Sequence, residues 1–276
     1  MSSSNIARVC YCTAVLLVGC GEQPSETALT NQQAQRLSNV DELHLDGLTS
    51  ITDTQAESLG KVGQFNFYGV LSLDGLKSIT DAQAKSLSGA PVLSLDGLTS
   101  ITDEQAKSLS KVARVLSLNG LTSISDAQAE SLGKGDVGEL HLDGLTSISD
   151  TNAEILSKVR MLYLSGLTSI TDEQAQSLSN IERLYLDGLT SISDAQAESL
   201  SKGNVYGLYL NGITSISDAQ AKSLSNRASE LSLNGLTSIS DAQAKSLNGA
   251  PVLSLDGLTS ITDEQGKSLS KVARVL

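Results

Sequence analysis

The chain has 276 residues and a formal net charge of −12, with 39% hydrophobic but only 3% aromatic residues. Because Trp is absent and rings are few, a hydrophobic core has to be built from small branched side chains in thin, repetitive layers. An acidic surface repels a phosphate backbone, so the composition argues against nucleic-acid binding. Two His and three Cys leave little material for a metal site, and we expect no cofactor.

Residues 1–19 have the features of a secretory signal peptide. One basic residue, Arg8, precedes an apolar stretch that is too short to span a membrane as an anchor. The tetrad Leu-Val-Gly-Cys at 17–20 resembles the bacterial lipobox, which implies that Cys20 is lipidated and begins the mature chain. Residues 20–28 are then a lipidated tether, and the protein is anchored in a bacterial cell envelope, facing the periplasm or the exterior. The alternative is an ordinary secretory signal in which Cys20 has no such role.

Residues 29–276 form an array of repeated units. The block Leu-x-Leu-Asp/Asn-Gly-Leu-Thr-Ser-Ile-Ser/Thr-Asp-x-Gln-Ala-x-Ser-Leu returns throughout, and its glycine recurs every 22–24 residues. A single interval of 6, between Gly69 and Gly75, breaks this spacing, and we interpret it as a deletion between two units. Residues 91–116 recur as 251–276 with one change, Ala106 against Gly266, so duplication built the array.

Each unit begins with a predicted short strand. In the unit around Tyr185, Leu184 and Leu186 alternate with the tyrosine at a period of two. Such a strand directs both leucines to one face and the tyrosine to the other. Stacked units then join into one parallel sheet over a continuous apolar core, which is an α/β solenoid.

A predicted short helix follows each strand. Ser193 and Gln196 have the spacing of a capping box, in which each side chain bonds to the other residue's backbone and starts the helix that contains Leu200. Every unit repeats this box except the one at Ser149, where Asn152 replaces Gln.

The pattern resembles the leucine-rich repeat family over about 250 residues. The Ile-Ser-Asp step at 192–194 is similar to that of the cysteine-containing subclass, whereas Leu189 stands where the family usually has a ladder-forming Asn or Cys; Thr190 and Ser191 are candidates to replace that ladder. The resemblance implies a horseshoe with a parallel concave sheet, short convex helices and recognition on the concave side. The apolar frame of the family falls on Ile181, Leu184, Leu186, Leu189, Ile192, Ala197 and Leu200.

The outward strand position distinguishes one unit from another. Because strands lie ~4.8 Å apart, four consecutive rings predict an aromatic stripe ~15 Å long, flanked by Glu139, Met161 and Arg183. Aromatic side chains favour a partner-binding patch. The alternative is that Tyr is simply a good strand residue and the rings stabilise the sheet. The column is His44, Asn66, Ser72, Ser94, Ser117, His141, Tyr163, Tyr185, Tyr209, Ser232 and Ser254.

A second column holds Asp, Asn or Ser just before the glycine of each unit, Asp187 among them. Stacked carboxylates are suitable ligands for Ca²⁺. The stronger interpretation is structural, because Asp-Gly and Asn-Gly are turn dipeptides and Asn and Ser interrupt the column.

Three functions are compatible with these features. The leading one is a lipid-anchored scaffold on the cell envelope that binds a protein through its concave face. The second is a structural or adhesive spacer. An enzyme is the least favoured, because His44 and His141 show no Ser or Asp at the spacing of a catalytic triad.

The final unit predicts an exposed end. Residues 271–276 copy 111–116 and stop where the next strand begins, so no atypical capping unit is recognisable. We therefore expect Leu269, Val272 and Val275 to be exposed and to allow self-association through this end.

Overall fold

The computed structural model describes residues 29–64, 68–203, 205–226, 229–272 and 274–275. Strands and helices alternate along these residues, and the strands form one parallel sheet of eleven in the order of the sequence. We call each strand with the helix that follows it a rung. The strands β1 to β11 are Glu42–His44, Val70–Ser72, Val92–Ser94, Val115–Ser117, Glu139–His141, Met161–Tyr163, Arg183–Tyr185, Gly207–Tyr209, Glu230–Ser232, Val252–Ser254 and Arg274–Val275.

The helices begin where the sequence predicts them. In each described helix but one, the N-cap Thr or Ser accepts the backbone N–H of a Gln three residues later, whose side chain accepts the N-cap N–H. The exception is at Ser149, as predicted. The helices α1 to α11 are Asn31–Leu37, Asp53–Leu59, Asp81–Leu87, Asp103–Leu109, Asp126–Gly133, Asp150–Leu156, Asp172–Leu178, Asp194–Lys202, Asp218–Leu224, Asp241–Leu247 and Asp263–Leu269.

One continuous apolar core lies between the sheet and the helices. In strands β1 to β10, the middle residue and the leucine that follows the strand point inward, so that Leu184 and Leu186 are buried while Tyr185 faces out. Each buried leucine contributes roughly 1.5–3 kcal/mol to folding. Since a rung has this apolar surface on both sides, it is stable only between neighbours.

The layers have different widths, and this curves the array. Strands pair ~4.8 Å apart, whereas packed helices need ~8–10 Å between axes. The strand layer therefore lies on the inner, concave side and the helices on the convex side. This is the predicted leucine-rich repeat horseshoe.

Residues near the short glycine interval do not form a rung of their own. Glu42 of β1 pairs directly with Val70 of β2, so the sheet passes from one to the other with no strand between them. The backbones of Gly63 and Gly69 come so close that a Cβ on Gly69 would lie 2.1 Å from the Cα of Gly63. Gly63 has a φ of 70°. Gly69 therefore makes a close contact with Gly63 and is not a marker of a rung.

The marker glycines are required by the stacking of rungs. A Cβ on Gly188 would lie 2.1 Å from the carbonyl oxygen of Ser165 and 2.7 Å from that of Leu167, both in the preceding rung. Any side chain at this position would separate two rungs. Among the described residues, no helix is both long and apolar enough to cross a membrane.

Candidate functional site

Four aromatic rings stack in the middle of the concave face. His141, Tyr163, Tyr185 and Tyr209 occupy consecutive strands in register. Their ring centroids are 3.8, 3.8 and 4.0 Å apart, and neighbouring ring planes are within 8° of parallel. We call these four residues the aromatic stack. The stripe is more compact than the predicted one because side chains converge on the inside of a curved sheet.

The other three predicted residues line one side of this stack. Glu139, Met161 and Arg183 begin the strands that carry His141, Tyr163 and Tyr185, and they are in register with one another. Because outward positions alternate with the buried leucine, each of them faces the same side as the ring two residues later. All seven predicted residues therefore form one continuous surface.

A glutamate lies at the histidine end of the stack. The Nε2 atom of His141 is 2.9 Å from the Oε1 atom of Glu139. This hydrogen bond with His141 lowers the pKa of the Glu139 carboxyl, although burial opposes the shift. The carboxylate is therefore held ionised beside the rings.

A second glutamate lies at the opposite end. Arg183 in β7 reaches past β8 to Glu230 in β9, with 3.5 Å between the guanidinium and the carboxylate. Gly207 occupies the intervening position, and a Cβ there would lie 3.2 Å from the Cγ of Arg183 and 3.1 Å from the Tyr209 ring. The missing side chain thus leaves room for the ion pair. Arg183 also lies over the ring of Tyr206, at 5.4 Å from its centroid.

Burial within the stack keeps the hydroxyl groups of Tyr163 and Tyr209 protonated. Burial raises the pKa of Tyr163, and the neighbouring Tyr185 and Glu139 raise it further. Burial also raises the pKa of Tyr209, with added effects from Glu230 and Tyr185. The hydroxyl groups of Tyr163 and Tyr209 are therefore held neutral near the carboxylates of Glu139 and Glu230.

The column of Asp and Asn residues forms a hydrogen-bonded ladder. The Oδ1 atom of Asp74 accepts the backbone N–H of Asp96 in the next rung at 2.9 Å. The same bond joins Asp187 to Asn211 at 3.0 Å. These side chains thus supply the ladder for which the sequence analysis named Thr190 and Ser191. In this unit the ladder residue is Asp187, two residues before Leu189.

This ladder also bears on the alternative interpretation, in which the column binds Ca²⁺. Acceptor oxygens of the column are used by neighbouring rungs, and Ser165 interrupts the series of longer side chains. Across the part of the chain that the structure describes, no three His, Cys, Asp or Glu residues converge on a position suited to a metal ion. The structural interpretation of the column is therefore the better supported one.

Two further ladders on the convex side escaped the sequence analysis. From Gln55 onward, each capping Gln has a second bond, as where the Gln196 amide donates to the carbonyl of Ile170 in the preceding rung at 2.8 Å. The N-cap hydroxyls donate backwards as well, from Ser217 to Asp194 at 2.8 Å. The Gln and the Asp that recur along the array were the sequence features that could have predicted these two ladders. Because every unit carries the same residues, the pattern did not reveal which rung they contact.

The predicted exposed end is only partly found. Leu269 and Val272 are buried, at 7% and 8% exposure, contrary to expectation, and the Val275 side chain is outside the described residues. Leu269 ends α11 and Val272 follows it in the next turn, and both belong to the continuous apolar core. Ile261 is 55% exposed, whereas its counterpart Ile101 in the duplicated unit is 8% exposed. Self-association through this end stays a prediction.

Two other predicted positions lie outside the described residues. These are Cys20, the lipidation site, and Asn66 of the outward column. In the described sheet, the column continues from His44 directly to Ser72.

Solved structures with low sequence identity are similar to this chain. The internalin InlF from Listeria monocytogenes shares 16% identity, covering 90% of this chain and 88% of that chain, with a TM-score of 0.41. InlJ from the same organism, represented by its functional domain, shares 14% identity, covering 89% of this chain and 54% of that chain, with a TM-score of 0.45. TLR13, in its complex with ssRNA13, shares 15% identity, covering 85% of this chain and 40% of that chain, with a TM-score of 0.52. No family model matches the chain, and no curated protein matches it.

The likeness to TLR13 concerns the fold, and it agrees with the rungs described above. The chain is an α/β solenoid of the leucine-rich repeat type, with an uninterrupted parallel sheet on its concave side.

Proposed function

We propose that this chain is an interaction scaffold that binds a protein partner through its concave face, at the aromatic stack. The observation that carries the proposal is the change of the outward column from serine to four consecutive rings in the middle of the array. Leucine-rich repeat solenoids present such a concave face as an extended binding surface. Tyr and Arg are enriched at the centres of protein interfaces, because they supply contact area at a small entropic cost.

Stacking within the sheet is the competing explanation of the rings. It accounts for the ring faces, which cover one another, but it does not require the charged groups around them. Glu139, Arg183 and Glu230 surround the rings with polar groups, as a polar rim surrounds the core of an interface. The combination of a ring cluster and a charged rim favours recognition over stabilisation alone.

A spacer or adhesive role is the second candidate. The strands β2, β3, β4 and β10 all read Val-Leu-Ser, and such uniform rungs offer no distinctive contact surface. In that case the array sets a distance, and the rings have no dedicated partner.

Anchoring in a bacterial envelope is a separate part of the proposal. It rests on the lipobox-like tetrad at 17–20, with Cys20 as the acylated residue. Stable anchoring takes more than one acyl chain, and a multiply acylated Cys20 holds the protein in the membrane fraction. Cys20→Ser is expected to release the protein from membranes. Mass spectrometry that finds Cys20 unmodified, or a mature chain starting elsewhere, contradicts the anchor but leaves the scaffold untouched.

The scaffold is tested by binding assays with variants of the stack. We expect Tyr163, Tyr185 and Tyr209, replaced together by Ser, to abolish capture of the partner while the array stays folded. Tyr68→Ser is the matched control, because Tyr68 is an exposed tyrosine outside the stack. Unchanged affinity of the triple variant moves the function to another face or favours the spacer.

A further inference from the structure

Positively charged side chains are distributed unequally between the two sides of the solenoid. The described lysines lie in the helices or in the turns just after them, apart from Lys77, which follows β2. The concave surface around the aromatic stack, taken from the residue before each strand to the Asp, Asn or Ser after it in rungs β5 to β9, has a different composition. It carries five carboxylates and two guanidinium groups: Glu139, Asp143, Glu182, Asp187, Glu230, Arg160 and Arg183.

Guanidinium groups already lie on tyrosine rings within this surface and on rungs outside it. Arg183 lies over Tyr206 and reaches the carboxylate of Glu230. Arg114, before β4, lies over Tyr68 at 4.7 Å from the ring centroid. A planar cation on an aromatic ring beside a carboxylate is a favourable arrangement, and arginine suits it better than lysine.

The stack leaves particular groups for a ligand. The rings of Tyr163 and Tyr185 cover each other's faces, so a ligand meets their edges and hydroxyl groups. The stack ends at Tyr209, because the next residue in the column, Ser232, is short and donates its hydroxyl to Asn211 at 2.7 Å. A guanidinium group therefore fits as the next layer, with the Glu230 carboxylate beside it.

We propose that the partner segment bound at the aromatic stack is basic, and that its arginine side chains bind between Glu139 and Glu230, one of them against the outer face of Tyr209. This rests on the proposed function and specifies the chemistry of the partner. The acidic concave surface attracts such a segment and repels phosphate groups.

The test uses oligoarginine, oligolysine and oligoglutamate peptides of equal length, and a single-stranded RNA, against the array from residue 21 onward and against full-length protein in detergent. The double variant Glu139→Gln with Glu230→Gln removes two concave charges. Its matched control, Glu130→Gln with Glu198→Gln, removes two exposed charges from helices, where each glutamate pairs with a lysine one turn later. Thermal melts establish that both variants are folded.

We expect oligoarginine to bind several-fold more tightly than oligolysine, and oligoglutamate not to bind. The concave variant should lose about ten-fold in affinity for oligoarginine, and the helix variant less than about two-fold. Tyr209→Ser should remove the preference for arginine over lysine. Equal loss in both double variants, binding without preference for arginine, or binding of the RNA overturns the proposal. If the triple tyrosine variant still loses its natural partner in that event, the scaffold stands and only the basic chemistry falls.

Discussion

The serine rungs and the aromatic rungs use the same outward position in opposite ways. In the serine rungs, the hydroxyl turns back into the molecule, as where Ser94 donates to Asp74 at 2.6 Å and Ser254 donates to Asn234 at 2.6 Å. In the aromatic rungs, each ring instead contacts the ring of a neighbouring rung. The backbone register does not change between the two regions.

A ring at the outward position removes a side-chain hydrogen bond between neighbouring rungs. Where Tyr209 replaces serine, the Asp187 carboxylate keeps the backbone N–H of Asn211 but has no serine hydroxyl from the next rung. Burial raises the pKa of Asp187, and the nearby charge of Asp143 adds to this shift. The aromatic rungs thus give up ladder bonds and gain an outward surface. This exchange agrees with the proposed binding role, because proteins break such local rules mainly at functional sites.

The largest loss of stability is expected from a core position that is leucine in both the serine rungs and the aromatic rungs. Leu186 is fully buried, and Leu186→Ala should lower the free energy of unfolding by about 2–5 kcal/mol. Because stability is a sum over neighbouring rungs, the urea transition should also broaden or split. Thr190→Ala, at an exposed position in the same unit, is the control and should have almost no effect. An equal loss in the two variants contradicts the assignment of the core.

High pH should destabilise the aromatic rungs in particular. Folding raises the pKa of Tyr163 and Tyr209 above their ordinary value of 10.0, so above that pH the unfolded chain releases protons that the folded chain retains. Their contribution is complete below pH 10.0 and is lost as the pH rises. The Tm should therefore fall at alkaline pH, and Tyr163→Phe with Tyr209→Phe should reduce the fall. A Tm profile that is the same in both proteins argues against burial of these hydroxyls.

Two single substitutions separate the contribution of the rings from that of the ladder. Tyr185→Ser loses two ring contacts, and the ladder residue before it is Ser165, which offers no carboxylate. Tyr209→Ser loses one ring contact, and the new hydroxyl lies next to Asp187. We expect losses of about 1–3 kcal/mol for Tyr185→Ser and about 1 kcal/mol less for Tyr209→Ser. The reverse order in chemical melts means that the stack does not act through ring contacts.

The smallest effect concerns the one irregular capping box. The buried Oδ1 atom of Asn152 has no hydrogen-bond partner, and its amide is 3.4 Å from the carbonyl of Ile124. In Asn152→Gln, the longer side chain should accept the backbone N–H of Ser149 and donate to the carbonyl of Ile124, as the capping Gln does in other units. The variant should therefore be more stable by about 1 kcal/mol. Gln174→Asn in the next unit is the inverse control and should destabilise by a similar amount. Stabilisation by both variants rules out this explanation.

Much of the fold could be predicted because it depends on local patterns. The period of two around Tyr185 determined which side chains point inward, and the spacing of Ser193 and Gln196 determined where a helix begins. The order of the rings in the stack followed from the same period. The position of Ser149 as the exception followed from one shortened side chain.

The remainder depends on contacts between units. Ring distances are set by curvature, which arises from packing helices against strands and has no local signature. Gly69 resembles a marker glycine in the sequence, but in the structure it makes a close backbone contact with Gly63, which no local pattern indicates. The ion pair of Arg183 with Glu230 spans three strands, and it depended on recognising that Gly207 leaves the space open.

The three side-chain ladders have a common direction. In each of them, the later rung donates and the earlier rung accepts, as from Ser217 to Asp194, from Gln196 to Ile170 and from Asn211 to Asp187. A ribosome releases the earlier rung first, so its acceptors are in place before the donors of the next rung are synthesised. Each new rung therefore brings its side-chain donors to acceptors that already exist, and its own side-chain acceptors are filled only when the rung after it is made.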